Sequence, residues 1–249
     1  MKLPVVNELY ELIEAEGLLI ECLRPWEVQF QRYDKELSQV LHWKTLPMAT
    51  VAINRHLEAE PRVGSHLAAI FPLILMSDHI HAQVTDDYNK TDGDDSFPYS
   101  ILLGDYLFGK AVGMLTRIDG HRLLPYFSDL ICLVNEGHVM GKLSGNKVDF
   151  ETLAREKASY YQYSFLTAAV FSGKGPYECA FYEKIGYHLG MALTLFDKGF
   201  SKASFTHIGQ MNNLWSDNFC RSNRSSDVLR DLLDVFAQEL NSSQKVAAI

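Results

Sequence analysis

Residues 71–118 read F-P-L-I-L-M-S-D-H-I-H-A-Q-V-T-D-D-Y-N-K-T-D-G-D-D-S-F-P-Y-S-I-L-L-G-D-Y-L-F-G-K-A-V-G-M-L-T-R-I. The stretch opens apolar, from Phe71 to Met76, and turns polar at Ser77-Asp78-His79-Ile80-His81. Five aspartates with Gly and Asn then fill Thr85 to Ser96, a composition that suits turns and not a packed element. After a break at Pro98, Leu107, Ala111, Met114 and Ile118 recur on one helical face, while Gly104, Gly109 and Gly113 keep another face small enough for a neighbouring helix to approach. The physical reading is a buried helix whose C-terminal end carries carboxylates and imidazoles, an acidic loop, and a second apolar helix that opens near Gly104-Asp105.

The same helical spacing extends in both directions. Upstream, Leu9, Leu12, Ile13, Leu19, Ile20 and Leu23 predict a helix over 5–23, with a possible break at Gly17. Pro25 begins another helix that runs through Val40, Pro47 interrupts a weaker pattern over 42–57, and Pro61 with Gly64 marks a turn before a helix over 64–83. Downstream, helices are predicted over 123–142, over 151–171 with Asp149 as its N-cap, and over 177–196 with small residues at Gly186 and Gly190. The pattern over 199–223 assigns no element. A last amphipathic helix spans 227–240, capped by Ser225 or Ser226, and a polar tail occupies 241–249. With no alternating pattern long enough for a strand, the chain reads as all-α: one domain over 1–240, with eight to ten helices.

Composition narrows the function classes. At 249 residues and 47% hydrophobic, the chain is long enough for a sizeable core. Its net charge of −8 supplies no basic field for nucleic acid or anionic lipid. Cys22, Cys132, Cys179 and Cys220 are scattered without a C-x-x-C pair, which fits reduced thiols in a cytoplasmic protein. No run of about 18 uninterrupted apolar residues predicts a spanning helix. Nucleotide-binding glycine loops, the G-x-S-x-G elbow and the H-E-x-x-H zinc motif are all missing.

Four clusters remain as candidates for chemistry. Asp78, His79, His81, Asp86 and Asp87 lie within about two helical turns of one another, a donor set open to Mg²⁺ through carboxylates or Zn²⁺ through imidazoles. The plainer reading is a polar helix end with a hydrated loop, and two histidines two positions apart face different sides of a helix. Glu136-Gly137-His138 sits inside an apolar helix, where a carboxylate is ordinarily solvated or paired across a helix interface. Lys157 opens an uncharged stretch with three tyrosines and suits a phosphate or carboxylate, although such tyrosines more often pack. Asp197-Lys198 is a poor cation site, because the ammonium competes for the carboxylate.

The order and spacing of these pieces resemble the trans-polyprenyl diphosphate synthases. The resemblance covers roughly His66 to Ser204, and its sharpest landmark is Leu102-Leu103-Gly104-Asp105-Tyr106-Leu107, close to that family's "aGDyL" segment. It implies an isoprenoid-synthase-like helical bundle around a central cavity. In that family two aspartate-rich motifs face each other and hold Mg²⁺ with an allylic diphosphate. The departures are extensive. The first motif, H-D-D-x-x-D in the family, appears as His81-Ala82-Gln83-Val84-Thr85-Asp86, or in another register with Asp78 as its first aspartate. The second motif retains only Asp197, and Lys157 stands where the family's diphosphate-contacting lysine falls. The basic G-G-K-R-x-R-P is replaced by Glu58-Ala59-Glu60-Pro61-Arg62-Val63-Gly64.

Three Mg²⁺ ions on a diphosphate need several oxygen ligands each, and one carboxylate per motif is too few. The resemblance therefore implies a degenerate small subunit of the heptaprenyl or hexaprenyl type: regulatory, without catalytic residues or Mg²⁺ of its own. It would pair as a heterodimer with a catalytic large subunit that carries the Mg²⁺ and makes quinone side chains. Asp78, His81, Asp86, Asp87, Lys157 and Asp197 would be relics of the diphosphate and metal region, and Gly104 and Asp105 a structural landmark. Phe71–Met76 and Tyr160–Val170 would pack at the dimer interface or bound the product tunnel.

Overall fold

The structure, a computed structural model, describes residues 10–24, 26–84, 96–145, 148–219 and 227–247. Helices α1 (Tyr10–Leu23), α2 (Glu27–Leu37), α3 (Leu41–His56) and α4 (Pro61–Ala82) are followed by α5 (Ser96–Thr116), a 3₁₀ turn over Gly120–Leu123, and α6 (Leu124–Ser144). A short α7 (Phe150–Leu153) passes through a π-turn at Ala154–Ala158 into α8 (Ser159–Phe171), and α9 (Pro176–Asp197), α10 (Ser201–Phe219) and α11 (Val228–Ala247) complete the bundle. No strand occurs among the described residues. The isolated prolines do not break the helices. Pro47 and Pro72 lie inside α3 and α4, and Gly17 lies inside α1. Tertiary burial along α3 and α4 outweighs the local cost of a lost backbone donor.

α4 is the axis. From Val63 to Ser77 every residue is buried, so this helix is apolar on all sides because α1, α3 and α5 surround it. By length and hydropathy alone it is apolar enough to cross a membrane, although Ser65, His66 and Ser77 interrupt its apolar run, and 89% of that apolar window is buried within the bundle. Phe71 to Met76 are therefore core residues and not an interface. The predicted face of α5 is also core, with Leu107, Ala111 and Met114 at most 1% exposed. The small face of α5 differs from expectation. Gly109 and Gly113 have open space where a Cβ would stand, and only Gly104 is closely approached.

Small residues matter most where α8 crosses α9. A Cβ on Gly186 would strike the carbonyl oxygen of Tyr161, and one on Gly190 would stand 2.7 Å from the Cα of Ala158. These glycines let the two backbones meet, which puts the start of α8 at the centre of the fold. Asp149 caps α7 as predicted, accepting from the Glu151 and Thr152 amides. At α11 the cap is Asp227, which accepts from the Leu229 amide at 3.1 Å and also faces His56 at 2.8 Å. Ser225 and Ser226 lie outside the described residues. α11 continues to Ala247, into the span that its polar composition assigns to a tail, and α10 fills the region left unassigned. At the other end, Arg55 grips Glu11 through two bonds of 2.8 Å and ties α1 to α3.

A buried polar network crosses the core beneath α8. Tyr161 Oη lies 2.5 Å from Thr45 Oγ1 and 3.0 Å from His42 Nδ1, and Thr50 Oγ1 meets Ser164 Oγ at 2.8 Å. Burial, reinforced by the charges of Lys157 and Lys198, pushes His42 down to about 3. The free imidazole titrates near 6.5. Below that pH the unfolded chain takes up a proton that the folded chain refuses, so stability is full above about 6.5 and falls as pH drops toward 3. Replacing His42 with Gln removes this penalty. Between pH 6.5 and 5 the variant is expected to lose about 1.6 kcal/mol less stability than the parent, the slope rising toward 1.36 kcal/mol per pH unit as the unfolded imidazole becomes fully protonated. Chemical denaturation at the two pH values measures it, and parallel losses would contradict the assignment.

Gly190→Ala is expected to destabilise the bundle by about 1–3 kcal/mol through forced overpacking against Ala158. Thermal denaturation checks this, with Gly109→Ala, which points into open space, as the near-neutral control.

Candidate functional site

The site is built at the last two turns of α4, where the helix leaves the core. Ser77 Oγ donates to the carbonyl of Gly104 at 2.9 Å and fixes α4 against α5. A Cβ on Gly104 would collide with the imidazole of His81, so the glycine makes the room in which that ring lies. His81 Nε2 then stands 3.3 Å from Asp105 Oδ1 and 3.3 Å from the carbonyl of Ile101. The Gly104-Asp105 pair thus has a local physical reason: the first residue admits the ring and the second pairs with it.

One residue position away from Ser77, Asp78 points toward α6. Its Oδ1 is 2.9 Å from His138 Nε2, and the side chain is 11% exposed. His138 Nδ1 in turn faces Glu156 Oε1 at 3.9 Å. The hydrogen bond that His138 donates to Asp78 holds the imidazole above its ordinary range, against its burial and the charge of Lys157. Glu156 belongs to the π-turn, which approaches α6 so closely that a Cβ on Gly137 would stand 2.8 Å from Glu156 Cγ. π-turns inside helices re-aim side chains and are frequent at functional sites. Here the turn presents Glu156 to His138, and Arg155 to Glu136 and Glu151.

Between α4, α5, α6 and α8 these groups enclose a half-open cleft of about 220 Å³. Ile74, Phe108, Ile131 and Val134 form its apolar wall, and Asp78, His81, Asp105, Asn135 and Tyr160 its polar end. A wider mouth of about 420 Å³ shares Asp78, His81 and Asn135 and adds His138, Lys142 and Glu156. Tyr160 is 2% exposed, and burial followed by the charge of Asp78 pushes its phenol well up, so it stays protonated. On the other side, burial also raises Tyr161; the Thr45 hydrogen bond works against this and the charge of Asp197 adds to it.

The expected site residues are thus partly assembled. Asp78, His81 and Asp105 share one cleft with Gly104 behind them. Lys157 lies on the π-turn, near enough for its charge to lower both His138 and His42. Asp197 sits exposed at the end of α9 beside Lys198, on the Tyr161 side and not on the cleft wall. Asp86 and Asp87 lie outside the described residues. His79 turns away to Glu36 at 3.1 Å and Gln83 at 3.0 Å, as the two-residue spacing requires. Sequence reasoning singled out Glu136-Gly137-His138, and both charged members pair across helices, Glu136 with Arg155 and His138 with Asp78; it did not foresee the second of these pairs or the place of Glu156 and Tyr160.

The donor set fits Mg²⁺ poorly. Asp78 spends one oxygen on an imidazole held toward its cationic form, and among the described residues no group of three or more His, Cys, Asp or Glu side chains is arranged to hold a metal ion.

No protein-family model matches the chain. In sequence it is 23% identical over 163 residues to the octaprenyl diphosphate synthase of Escherichia coli, covering 61% of this chain and 50% of that protein. The chain therefore spans about half the length of the curated relatives it matches. Among solved structures it superposes on a geranyltranstransferase from Methanosarcina mazei with a TM-score of 0.71 at 14% identity, covering 92% of this chain and 96% of that one. A geranyltranstransferase from Thermotoga maritima gives 0.70 at 16% identity over 94% and 100%. A decaprenyl diphosphate synthase from Rhodobacter capsulatus gives 0.61 at 18% identity over 76% and 62%. The fold is that of the isoprenoid synthases.

Gly104→Ala should push the half-exposed His81 ring aside and part it from Asp105, at a cost of about 1 kcal/mol. Urea denaturation measures the cost, and an unchanged midpoint would contradict the role given to this glycine.

Proposed function

We propose that this chain is a regulatory small subunit of a heterodimeric trans-polyprenyl diphosphate synthase and performs no condensation alone. The observation that carries the reading is the commitment of Asp78 to His138, with Glu156 behind it. A carboxylate engaged by an imidazolium is a weak ligand for Mg²⁺, and the cleft's other carboxylate, Asp105, repels a diphosphate. Lys142 at the wider mouth and Lys157 on the π-turn are opposed by the carboxylates of Asp78, Asp105 and Glu156, so little net positive charge is left to hold three or four phosphate charges.

In this reading the partner is a catalytic large subunit that brings its own Mg²⁺, and the product is an isoprenoid quinone side chain of the heptaprenyl or hexaprenyl class. Apolar surface on α5 and α6 supports a protein partner. Leu102 is 66% exposed, Val139 57% and Leu143 83%. Both partners would act in the cytoplasm.

A second reading, an active Mg²⁺-dependent prenyltransferase, is favoured by the names of the relatives, which are synthases and transferases. One assay separates the two. Radiolabelled isopentenyl diphosphate is incubated with farnesyl diphosphate and Mg²⁺, with this chain alone and with the large subunit from the same genome. Product only in the mixture supports the regulatory reading. Product from the chain alone, abolished by Asp78→Ala, contradicts it.

A further inference from the structure

Away from the cleft, α9 and α10 bring two imidazoles together. Gly199, at φ +82°, turns the chain between the helices, and Ser204 Oγ donates to the carbonyl of Ala192 at 2.7 Å, fixing their register. His188 on α9 and His207 on α10 then meet with their Nδ1 atoms 3.0 Å apart, both rings half-buried. Tyr187 stands edge-on to both, at 5.3 and 6.0 Å between ring centroids. His56, His79, His81 and His138 each meet a carboxylate, whereas His188 and His207 meet one another. Burial, then the charges of His207 and the exposed Lys184, push His188 down to about 4, and burial pushes His207 down as well. A free imidazole titrates near 6.5, so at neutral pH both rings are neutral and keep a nitrogen lone pair.

The geometry points to a transition-metal site at His188 and His207, in which a divalent cation of the Cu²⁺ or Ni²⁺ type joins α9 to α10 through both Nδ1 atoms. At metal–nitrogen distances of about 2.0–2.1 Å, two nitrogens at a right angle lie about 2.9 Å apart, and at the tetrahedral angle about 3.3 Å. The observed 3.0 Å is closer to the first, which favours the tetragonal geometry of Cu²⁺ and Ni²⁺ over the tetrahedral one of Zn²⁺. A turn of both rings to one side of the line between the nitrogens brings their lone pairs to one point. The proton between the nitrogens moves to Nε2 of its own ring, so both bind as neutral imidazoles and no net proton is released. No third His, Cys, Asp or Glu among the described residues joins them, so water completes the coordination. Mg²⁺ takes oxygen ligands and is not a cation for this pair. Water screens the exposed Lys184 ammonium, which lowers the affinity without preventing binding.

The inference is independent of the regulatory reading, because neither histidine lines the cleft or its mouth. The full chain, free of purification tags and stripped of metals, is titrated with Cu²⁺ at neutral pH by isothermal titration calorimetry and electron paramagnetic resonance. The expected result is one saturable equivalent of Cu²⁺ held by two equatorial imidazole nitrogens. The melting temperature is expected to rise with Cu²⁺ or Ni²⁺ and to stay unchanged with Mg²⁺. His188→Gln and His207→Gln are each expected to weaken this equivalent about tenfold or more and to leave one such nitrogen, with circular dichroism unchanged. His121→Gln, at an exposed histidine on the turn before α6, is expected to keep the parent's affinity.

No saturable Cu²⁺ binding by the folded parent overturns the site. The parent's affinity retained in both folded variants does the same, because the cation then sits on other histidines of the chain. An equal rise in melting temperature with Mg²⁺ also overturns it, since an oxygen-seeking ion does not select two imidazoles. A parent spectrum with one coordinated nitrogen or none overturns it without recourse to a variant, so the test holds even where a substitution unfolds the chain.

Discussion

A carboxylate taken out of water must find a counter-charge, and in this bundle Asp78 finds His138. The pair joins the end of α4 to the middle of α6, two helices otherwise held apart by the cleft. It also ranks the neighbouring groups. Glu156 is drawn to the far side of the imidazole, Lys157 is left to work on His42 as well as His138, and Asp78 also acts on Tyr160, whose phenol burial and the Asp78 carboxylate hold up. The arrangement needs the π-turn, because a regular helix through Ala154–Ala158 would rotate Glu156 away from α6.

The backbone that supports this pair is set by three close approaches. Gly104 admits His81, Gly137 admits the π-turn, and Gly186 with Gly190 lets α9 lie against α8. At each point a methyl group would enter space already filled, so side-chain volume and not conformational freedom explains the glycine. The consequence is a cleft with one acidic, one aromatic and one aliphatic side, in a fold whose known relatives by name handle diphosphates.

Most of the helix plan was legible from the chain. The periodicity around Leu107 to Ile118, the Asp149 cap and the turn before α9 depend on neighbours within a few residues, and local chemistry decides them. What was not legible is long-range. Pro47 looks like a break until the burial of α3 is known, and α10, which packs mainly along α9, shows no clear pattern of its own. Asp78, His81 and Gly104-Asp105 were singled out from the sequence, but Asp78 and His138 are 60 residues apart, and no spacing rule joins them. Gly109 and Gly113 carry the same small-residue signal as Gly104 and face open space, so the pattern alone did not separate contact from vacancy.

The account turns on whether Asp78 is committed to His138 or free for a metal. The direct measurement is the titration of the His138 ring followed by NMR, in the parent and in Asp78→Asn, with and without millimolar Mg²⁺. The account predicts a pKa above the ordinary imidazole value of about 6.5 in the parent, a fall in Asp78→Asn, and no change on adding Mg²⁺. A parent value that drops when Mg²⁺ is added would show the carboxylate leaving His138 for the metal, and would contradict it.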